Sequence, residues 1–216
     1  MYFRVSFFIS FYTIIFTTMN EQQTKWDEGF KAGRDYNPIN EILLDSVLAY
    51  VDNEKKAAVD LGCGTGDAVI KLAKRGLTVT GTDWSPEALR KAQIRAEEEG
   101  VADKVNFQEV DLDKLAEANL KAGEANIILC KLVIAFVSDR KAFCEVVKGL
   151  LSENGVFVIQ TPVLHDGVEY VPEDKPRIAV SYKEFKATLE EVFTEVIEFD
   201  HSYYSDRGDL VTFIVK

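Results

Sequence analysis

Residues 57–76, AAVDLGCGTGDAVIKLAKRG, place Gly62, Gly64 and Gly66 at alternate positions between two apolar runs. The first run, KKAAVDL, is a short β-branched and alanine stretch of the kind that forms a buried strand. The second, DAVIKLAKR, has the helical period and stops at Gly76, a residue suited to a left-handed helix end. A strand that passes straight into a helix through three bare-backbone positions is the start of an α/β unit. It brings backbone and a helix start close to whatever lies beside the turn. The ordinary alternative is a tight turn that needs positive φ, but three glycines in five positions are more than a turn usually needs.

Spacing and charge then narrow what the turn can hold. A dinucleotide turn reads G-x-G-x-x-G and faces a pyrophosphate. Here the spacing is G-x-G-x-G, and Asp60 stands two residues before the first glycine. A carboxylate at that point repels a pyrophosphate and welcomes a cation. The pattern asks for an adenosine-like body that carries a positive group.

The rest of the chain alternates in the same way. NPINEILLDSVLAYV carries apolar residues at Ile39, Ile42, Leu43, Val47, Leu48 and Val51, which predicts an amphipathic helix. LTVTGTD reads as a second strand. SPEALRKAQIRAEEEG is the clearest helix, with Ser85 as cap, Pro86 at the first helical position, Glu87 at the positive end and Gly100 as stop. KVNFQEV is a third strand, and ANIILCKLVIAFV contains a fourth, apolar throughout as a strand buried on both faces is. The helix DRKAFCEVVKGLL, the strand GVFVIQT and the helix SYKEFKATLEEVF follow, the last with a capping box from Ser181 to Glu184. Two strands around SDRGD end the chain. Five alternations of strand and helix predict an α/β fold with a parallel sheet and helices on both faces. In such sheets ligands sit at the carboxyl ends of the strands.

At 216 residues the chain has the length of one domain, large enough to bury a full core without disulfides or metals. Its net charge of −11 argues against a general nucleic-acid binder, which relies on Lys and Arg. Three cysteines, Cys63, Cys130 and Cys144, have no metal-like spacing and predict free thiols in a reducing compartment. Two histidines, His165 and His201, exclude a multi-histidine metal site, and no metal is expected. Residues 1–18, MYFRVSFFISFYTIIFTT, do not match the rest. Three readings compete: a membrane anchor, although the run is shorter than the ~18–20 residues a span needs; a secretory signal, although no small-x-small cleavage site follows; or a reading frame extended upstream of a true start at Met19. The functional domain is expected over residues 19–216.

VDLGCGTG (59–66), VTGTDWSPEALRKAQ (79–93) and VNFQEVDLDKL (105–115) together resemble the class I S-adenosylmethionine-dependent methyltransferases. The resemblance covers residues 36–163 well and the last two strands in outline. Asp83 follows Asp60 by 23 residues and Asp111 by a further 28, which strengthens it. It implies a Rossmann-like, doubly wound, seven-stranded and mostly parallel sheet whose last strand is antiparallel. It also implies S-adenosyl-L-methionine as cofactor. On this resemblance Asp60 and the backbone of Gly62, Cys63, Gly64 and Gly66 hold the methionine part, with Asp60 near the ammonium. Asp83 accepts both ribose hydroxyls, Trp84 lies against the adenine, and Asp111 accepts from the adenine amino group beside the Leu112 amide. The backbone at Lys131 lines the methionine end, and Tyr36 closes over the cofactor. Capping, packing or solvation is the plain alternative for Asp83, Trp84, Tyr36 and Asp111.

The departures from the family pattern bear on the acceptor. Asn126 stands where an Asp is common, and Ala135 and Phe136 stand where many small-molecule members have a His pair. The Asn-Pro-Pro-Tyr signature of base methylation is replaced by CKLV (130–133). Lys131 and His165 are the weak catalytic candidates: a lysine ending a buried strand either meets a substrate anion or pairs with a nearby acid, and His165 is either a base or a loop histidine. The leading expectation is a cytoplasmic, monomeric or weakly dimeric enzyme that methylates a small soluble acceptor. The alternatives are an RNA or protein methyltransferase, a non-catalytic S-adenosylmethionine-binding protein and, more remotely, a dehydrogenase. Membrane association is expected only if residues 1–18 are retained as an anchor.

Overall fold

The computed structural model describes residues 22–35, 38–51, 57–165, 179–205 and 208–216. The segment 1–18 and Tyr36 lie outside these residues. The described residues begin with a helix over residues 22–31 (α1). The chain then alternates α2 (Glu41–Tyr50), β1 (Ala57–Leu61), α3 (Asp67–Lys74), β2 (Thr78–Asp83), α4 (Pro86–Glu98), β3 (Val105–Glu109) and β4 (Ala125–Lys131). α5 (Arg140–Leu150), β5 (Leu151–Leu164), the two-residue β6 (Val180–Ser181), α6 (Tyr182–Val192), β7 (Val196–Ser205) and β8 (Gly208–Val215) complete it.

The strands lie in the order β3-β2-β1-β4-β5-β8-β7, with β6 paired to the end of β5. β1 to β5 are parallel, and β8 runs antiparallel between β5 and β7. The through-going path is the expected seven strands with the last reversed; the short β6 is an addition. Strand order reverses between β1 and β4, the place where such sheets open a crevice at their carboxyl ends.

The parallel strands are apolar on both faces, and the two faces make separate cores. Ala58, Val79, Ile127, Leu129, Val156 and Ile214 pack with α2 and α3, while Val59, Leu61, Ile128, Cys130, Phe157 and Phe213 pack with α5 and α6. Local signals end the helices as expected. The Ser85 hydroxyl accepts from the Ala88 amide at 3.2 Å, and Gly76 and Gly100 follow α3 and α4 with φ of 92° and 68°. In α2 the buried face differs from the expected one: Leu44 and Val47 are buried, while Ile42 is 75% exposed. Ile39 and Val51 are buried, but each lies just outside the helix. Asn126 lies at the far end of β4 from the crevice, where its side chain accepts from the Ala57 amide and donates to Ser152. No helix among the described residues is long and apolar enough to cross a membrane.

Candidate active site

The glycine turn leaves β1 at the point of strand reversal. Gly62, Gly64 and Gly66 have φ of 75°, 53° and 82°, so all three occupy the left-handed region that L side chains rarely adopt. Two of them also face protein at close range. A Cβ on Gly62 would stand 2.6 Å from a Val133 methyl, and one on Gly66 would stand 3.0 Å from Ala92. The turn's own geometry therefore accounts for the glycines as fully as ligand approach does. Gly66 is buried and does not line the cavity described next; it serves the packing of α3 on α4.

A cavity of about 390 Å³ opens beside this turn. Of the residues singled out in the sequence, Asp60, Gly62, Cys63, Gly64, Asp83, Trp84, Asp111, Leu112 and Lys131 line it. They come from the carboxyl ends of β1, β2, β3 and β4, as the strand order dictates. His165 does not join them: it is exposed, and its ring lies against Tyr182 with centroids 4.5 Å apart. β5 runs on to Leu164, three residues beyond the expected strand, and carries His165 past the crevice to the start of α6.

Asp83 organises the floor. Its two carboxylate oxygens accept from the Gly64 amide and the Ser85 amide, each at 2.9 Å. It is 7% exposed, and burial raises its pKa, while the donated N–H groups of Ser85 and Gly64 hold it back. Each oxygen retains acceptor capacity toward the cavity. Asp60 is 4% exposed, and burial pushes it from 3.8 up to about 7. The Lys131 charge opposes that shift, and Asp83 and Asp67 add to it. Burial in turn lowers the Lys131 pKa against the attraction of Asp60, Asp67 and Asp35. Cys63 is a neutral thiol, because burial and then Asp60 and Asp83 push it well above its ordinary range. Asp111 caps the turn after β3, accepting from the Asp113 amide at 3.1 Å, and is half-buried rather than solvated.

Where β4 leaves the sheet, Leu132 takes φ of 63°, a conformation costing about 1–3 kcal/mol outside glycine. Its amide donates to the Gln160 carbonyl at 2.8 Å. The kink directs Val133 onto Gly62 and sets the short helical turn Ile134–Phe136 at the cavity's side.

A family model described as a methyltransferase domain matches residues 52–205. The chain belongs to the class I S-adenosylmethionine-dependent methyltransferases. Curated relatives carry the name ubiquinone biosynthesis O-methyltransferase, among them two bacterial proteins. The one from Psychrobacter cryohalolentis is 32% identical over 106 residues, 49% of this chain and 40% of the relative. The one from Cupriavidus pinatubonensis is 28% identical over 170 residues, 74% of this chain and 66% of the relative. The chain thus spans between two-fifths and two-thirds of their length. A solved geranyl diphosphate C-methyltransferase from Streptomyces coelicolor A3(2), in complex with Mg2+, geranyl diphosphate and S-adenosyl-L-homocysteine, matches with a TM-score of 0.67 at 14% identity. That match covers 81% of this chain and 78% of the other, and at this identity the likeness is one of fold.

This methyltransferase has a roof that the sequence reading missed. α1 covers the cavity with Gln22, Trp26 and Phe30, and Phe136 meets Trp26 edge-on at 5.4 Å. Long-range bonds pin the helix. Gln23 donates to the Trp84 carbonyl at 2.7 Å, and Asp27 accepts from the Ser85 hydroxyl at 2.7 Å and the Glu87 amide at 3.1 Å. Lys91 donates to the Phe30 carbonyl. The one local signal was Trp26 and Phe30 at the i, i+4 spacing of a helix face.

Proposed function

We propose that this chain binds S-adenosyl-L-methionine in the cavity and catalyses methyl transfer to a small acceptor. The observation that carries the reading is the convergence of Asp60, Asp83 and Asp111 with a glycine turn on one cavity at the switch point. The residues present suit the cofactor. Among the described residues six aspartates line the cavity (Asp35, Asp60, Asp67, Asp83, Asp111, Asp113) against one lysine, Lys131. That balance favours a cation and opposes a polyanion such as RNA.

In this reading Asp83 accepts from the ribose hydroxyls and Trp84 lies along the adenine. Asp111 and the Leu112 amide address the adenine edge, and Asp60 faces the ammonium of the amino-acid end. Bound S-adenosylmethionine supplies a methyl group on a positively charged sulfur, already activated for in-line displacement. The chain's residues have to hold donor and acceptor in line and exclude water; positioning of this kind is worth up to ~7–11 kcal/mol. Trp26, Phe30 and Phe136 form the apolar wall that keeps water from the transfer path. The relatives' names, O-methyltransferases, point to a hydroxyl on the acceptor. Residues 19–216 make up the catalytic domain, which works in the cytoplasm as a monomer or weak dimer.

The test is calorimetric titration with S-adenosylhomocysteine, followed by incubation of labelled cofactor with hydroxyl-bearing small acceptors. Micromolar binding and a labelled product support the reading. Absence of heat with S-adenosylhomocysteine, alongside binding of a nicotinamide dinucleotide, overturns it. Binding without transfer to any acceptor reduces the chain to a cofactor-binding protein.

A further inference from the structure

α1 and the turn after β4 give the cavity an aromatic side. Trp26 and Phe136 are half-buried and meet edge-on, with ring centroids 5.4 Å apart and planes at 89°, so they stand as two walls of a box. Phe30 lies 6.4 Å from Trp26 and covers the glycine turn: a Cβ on Gly64 would stand 3.6 Å from its ring. The face of an aromatic ring carries partial negative charge and attracts ammonium groups.

A carboxylate stands beside this box. Asp113 lines the same cavity and accepts from the Ser138 amide and the Ser138 hydroxyl, each at 2.8 Å. Those bonds tie the turn after β3 to the chain two residues past Phe136, and each oxygen keeps acceptor capacity. The other acids are engaged elsewhere. The cofactor reading uses Asp60, Asp83 and Asp111. Arg95 lies within 4.0 Å of Asp35, Lys71 and Arg95 lie within 3.3 Å of Asp67, and Lys114 lies 3.9 Å from Asp111. Asp113 is exposed, and among the described residues it has no basic side chain at such a distance. The charge of Lys131, the one lysine on the cavity among those residues, is set against Asp60, Asp67 and Asp35. An anionic group on the acceptor would therefore meet a carboxylate and two aromatic faces, all of which repel it. An ammonium meets three attractive surfaces at once.

We propose that the acceptor is an organic cation, whose protonated amine is held by Trp26, Phe136 and Asp113 while its hydroxyl reaches inward toward Phe30 and Gly64. This rests on the reading of the cavity as a methyltransferase site and names the class of its acceptor. It gives Phe136 a role at a position where many small-molecule members of the family carry histidine: a wall for a cation, where a base would otherwise stand. Trp26 and Phe136 supply the shape of the subsite, and Asp113 sets the sign of the charge it accepts.

The experiment uses three phenols with the same ring and two-carbon arm. These are tyramine, with an ammonium at the end of the arm; 4-ethylphenol, with none; and 3-(4-hydroxyphenyl)propionate, with a carboxylate. Each is titrated into the full chain saturated with S-adenosylhomocysteine. Tryptophan fluorescence reports binding, because both tryptophans of the chain, Trp26 and Trp84, line the cavity. Affinity is expected to fall in the order tyramine, 4-ethylphenol, propionate, with about tenfold or more between the first and last at low salt. That ratio is expected to shrink between about 0.05 and 0.5 M salt, because the Asp113 carboxylate is exposed to screening. Asp113→Asn is expected to cut the ratio to about threefold or less, and Asp113→Glu to keep it. A propionate that binds the wild-type chain as tightly as tyramine overturns the proposal, and this comparison needs no variant to fold. An undiminished ratio in Asp113→Asn also overturns it. So does silence from all three phenols on a chain that binds S-adenosylhomocysteine, a result that leaves the cofactor reading standing. Failure to bind S-adenosylhomocysteine in the first step defeats the cofactor reading itself.

Discussion

Asp60 makes the folded chain pH-sensitive through the range in which a buried carboxyl raised to about 7 loses its proton. Its carboxyl is 4% exposed and is raised from 3.8 to about 7 by burial. An acid raised on folding binds a proton more tightly in the folded state than in the unfolded chain. Its contribution is fully favourable below pH 3.8 and is lost as pH rises toward and through 7. At 1.36 kcal/mol per unit, the cost relative to a solvated carboxyl is about 2 kcal/mol at pH 5.5 and about 4 kcal/mol at pH 8. The chain should thus lose about 2 kcal/mol of unfolding free energy across that interval. Asp83 is also raised by burial and acts in the same direction as Asp60, whereas Asp27, Glu41, Glu87 and Glu99 are lowered by their ion pairs and hydrogen bonds. Their contributions have the opposite sign and are complete before pH 5.5. Urea unfolding at pH 5.5 and 8 measures the loss, and Asp60→Asn should remove the part of about 2 kcal/mol that Asp60 carries. The same group reports on the ligand: a cation placed beside Asp60 favours the carboxylate. At pH 7, where the group is about half protonated, binding of S-adenosylhomocysteine should release about half a proton. Titration in two buffers of different ionisation enthalpy counts it. An Asp60→Asn variant that falls with pH as steeply as wild type refutes the stability argument, and binding with no proton release refutes the placement of the ammonium.

Three further substitutions probe the scaffold of the cavity. Gly62→Ala adds a Cβ 2.6 Å from a Val133 methyl at a φ of 75°, and should lower stability by about 2–4 kcal/mol in urea unfolding. Adding Val133→Ala should recover the steric part and leave about 1 kcal/mol from the backbone. Asp83→Asn can satisfy one of the two amides that the carboxylate now accepts. It should cost about 1–3 kcal/mol of stability and weaken S-adenosylhomocysteine binding at least tenfold, read by urea unfolding and calorimetry. Asp27→Ala cuts the ties from α1 to Ser85 and Glu87. Hydrogen exchange should accelerate over residues 22–31 by about 10-fold or more while the strands β1 and β4 keep their protection.

The parts of the fold that were legible in the sequence are those built from neighbouring residues. The Ser85 cap, the stops at Gly76 and Gly100 and the apolar runs of β1 and β4 need nothing beyond a few positions on either side. The parallel sheet followed from the alternation of strand and helix, its doubly wound seven-stranded form from the resemblance, and nine of the eleven expected cofactor-site residues line the cavity because strand ends meet there. Gly66 lies outside the cavity because its missing Cβ faces Ala92, on another helix. His165 lies away from it because a strand's length is set by its partners: β8 and β6 pair with β5 as far as Val163 and Leu164 and carry the chain beyond the crevice. The roof was invisible for the same reason. Between Lys25, Asp27 and Glu28, the pair Trp26 and Phe30 is too sparse to announce a buried face, and the residues that tie α1 down, Trp84, Ser85, Lys91 and Phe136, lie more than 50 residues away. What was hidden is the tertiary part that encloses the cavity. A strand-end constellation read from the sequence therefore locates the cavity, whereas its roof is made by α1 and the turn after β4, whose pairing only the folded chain reveals.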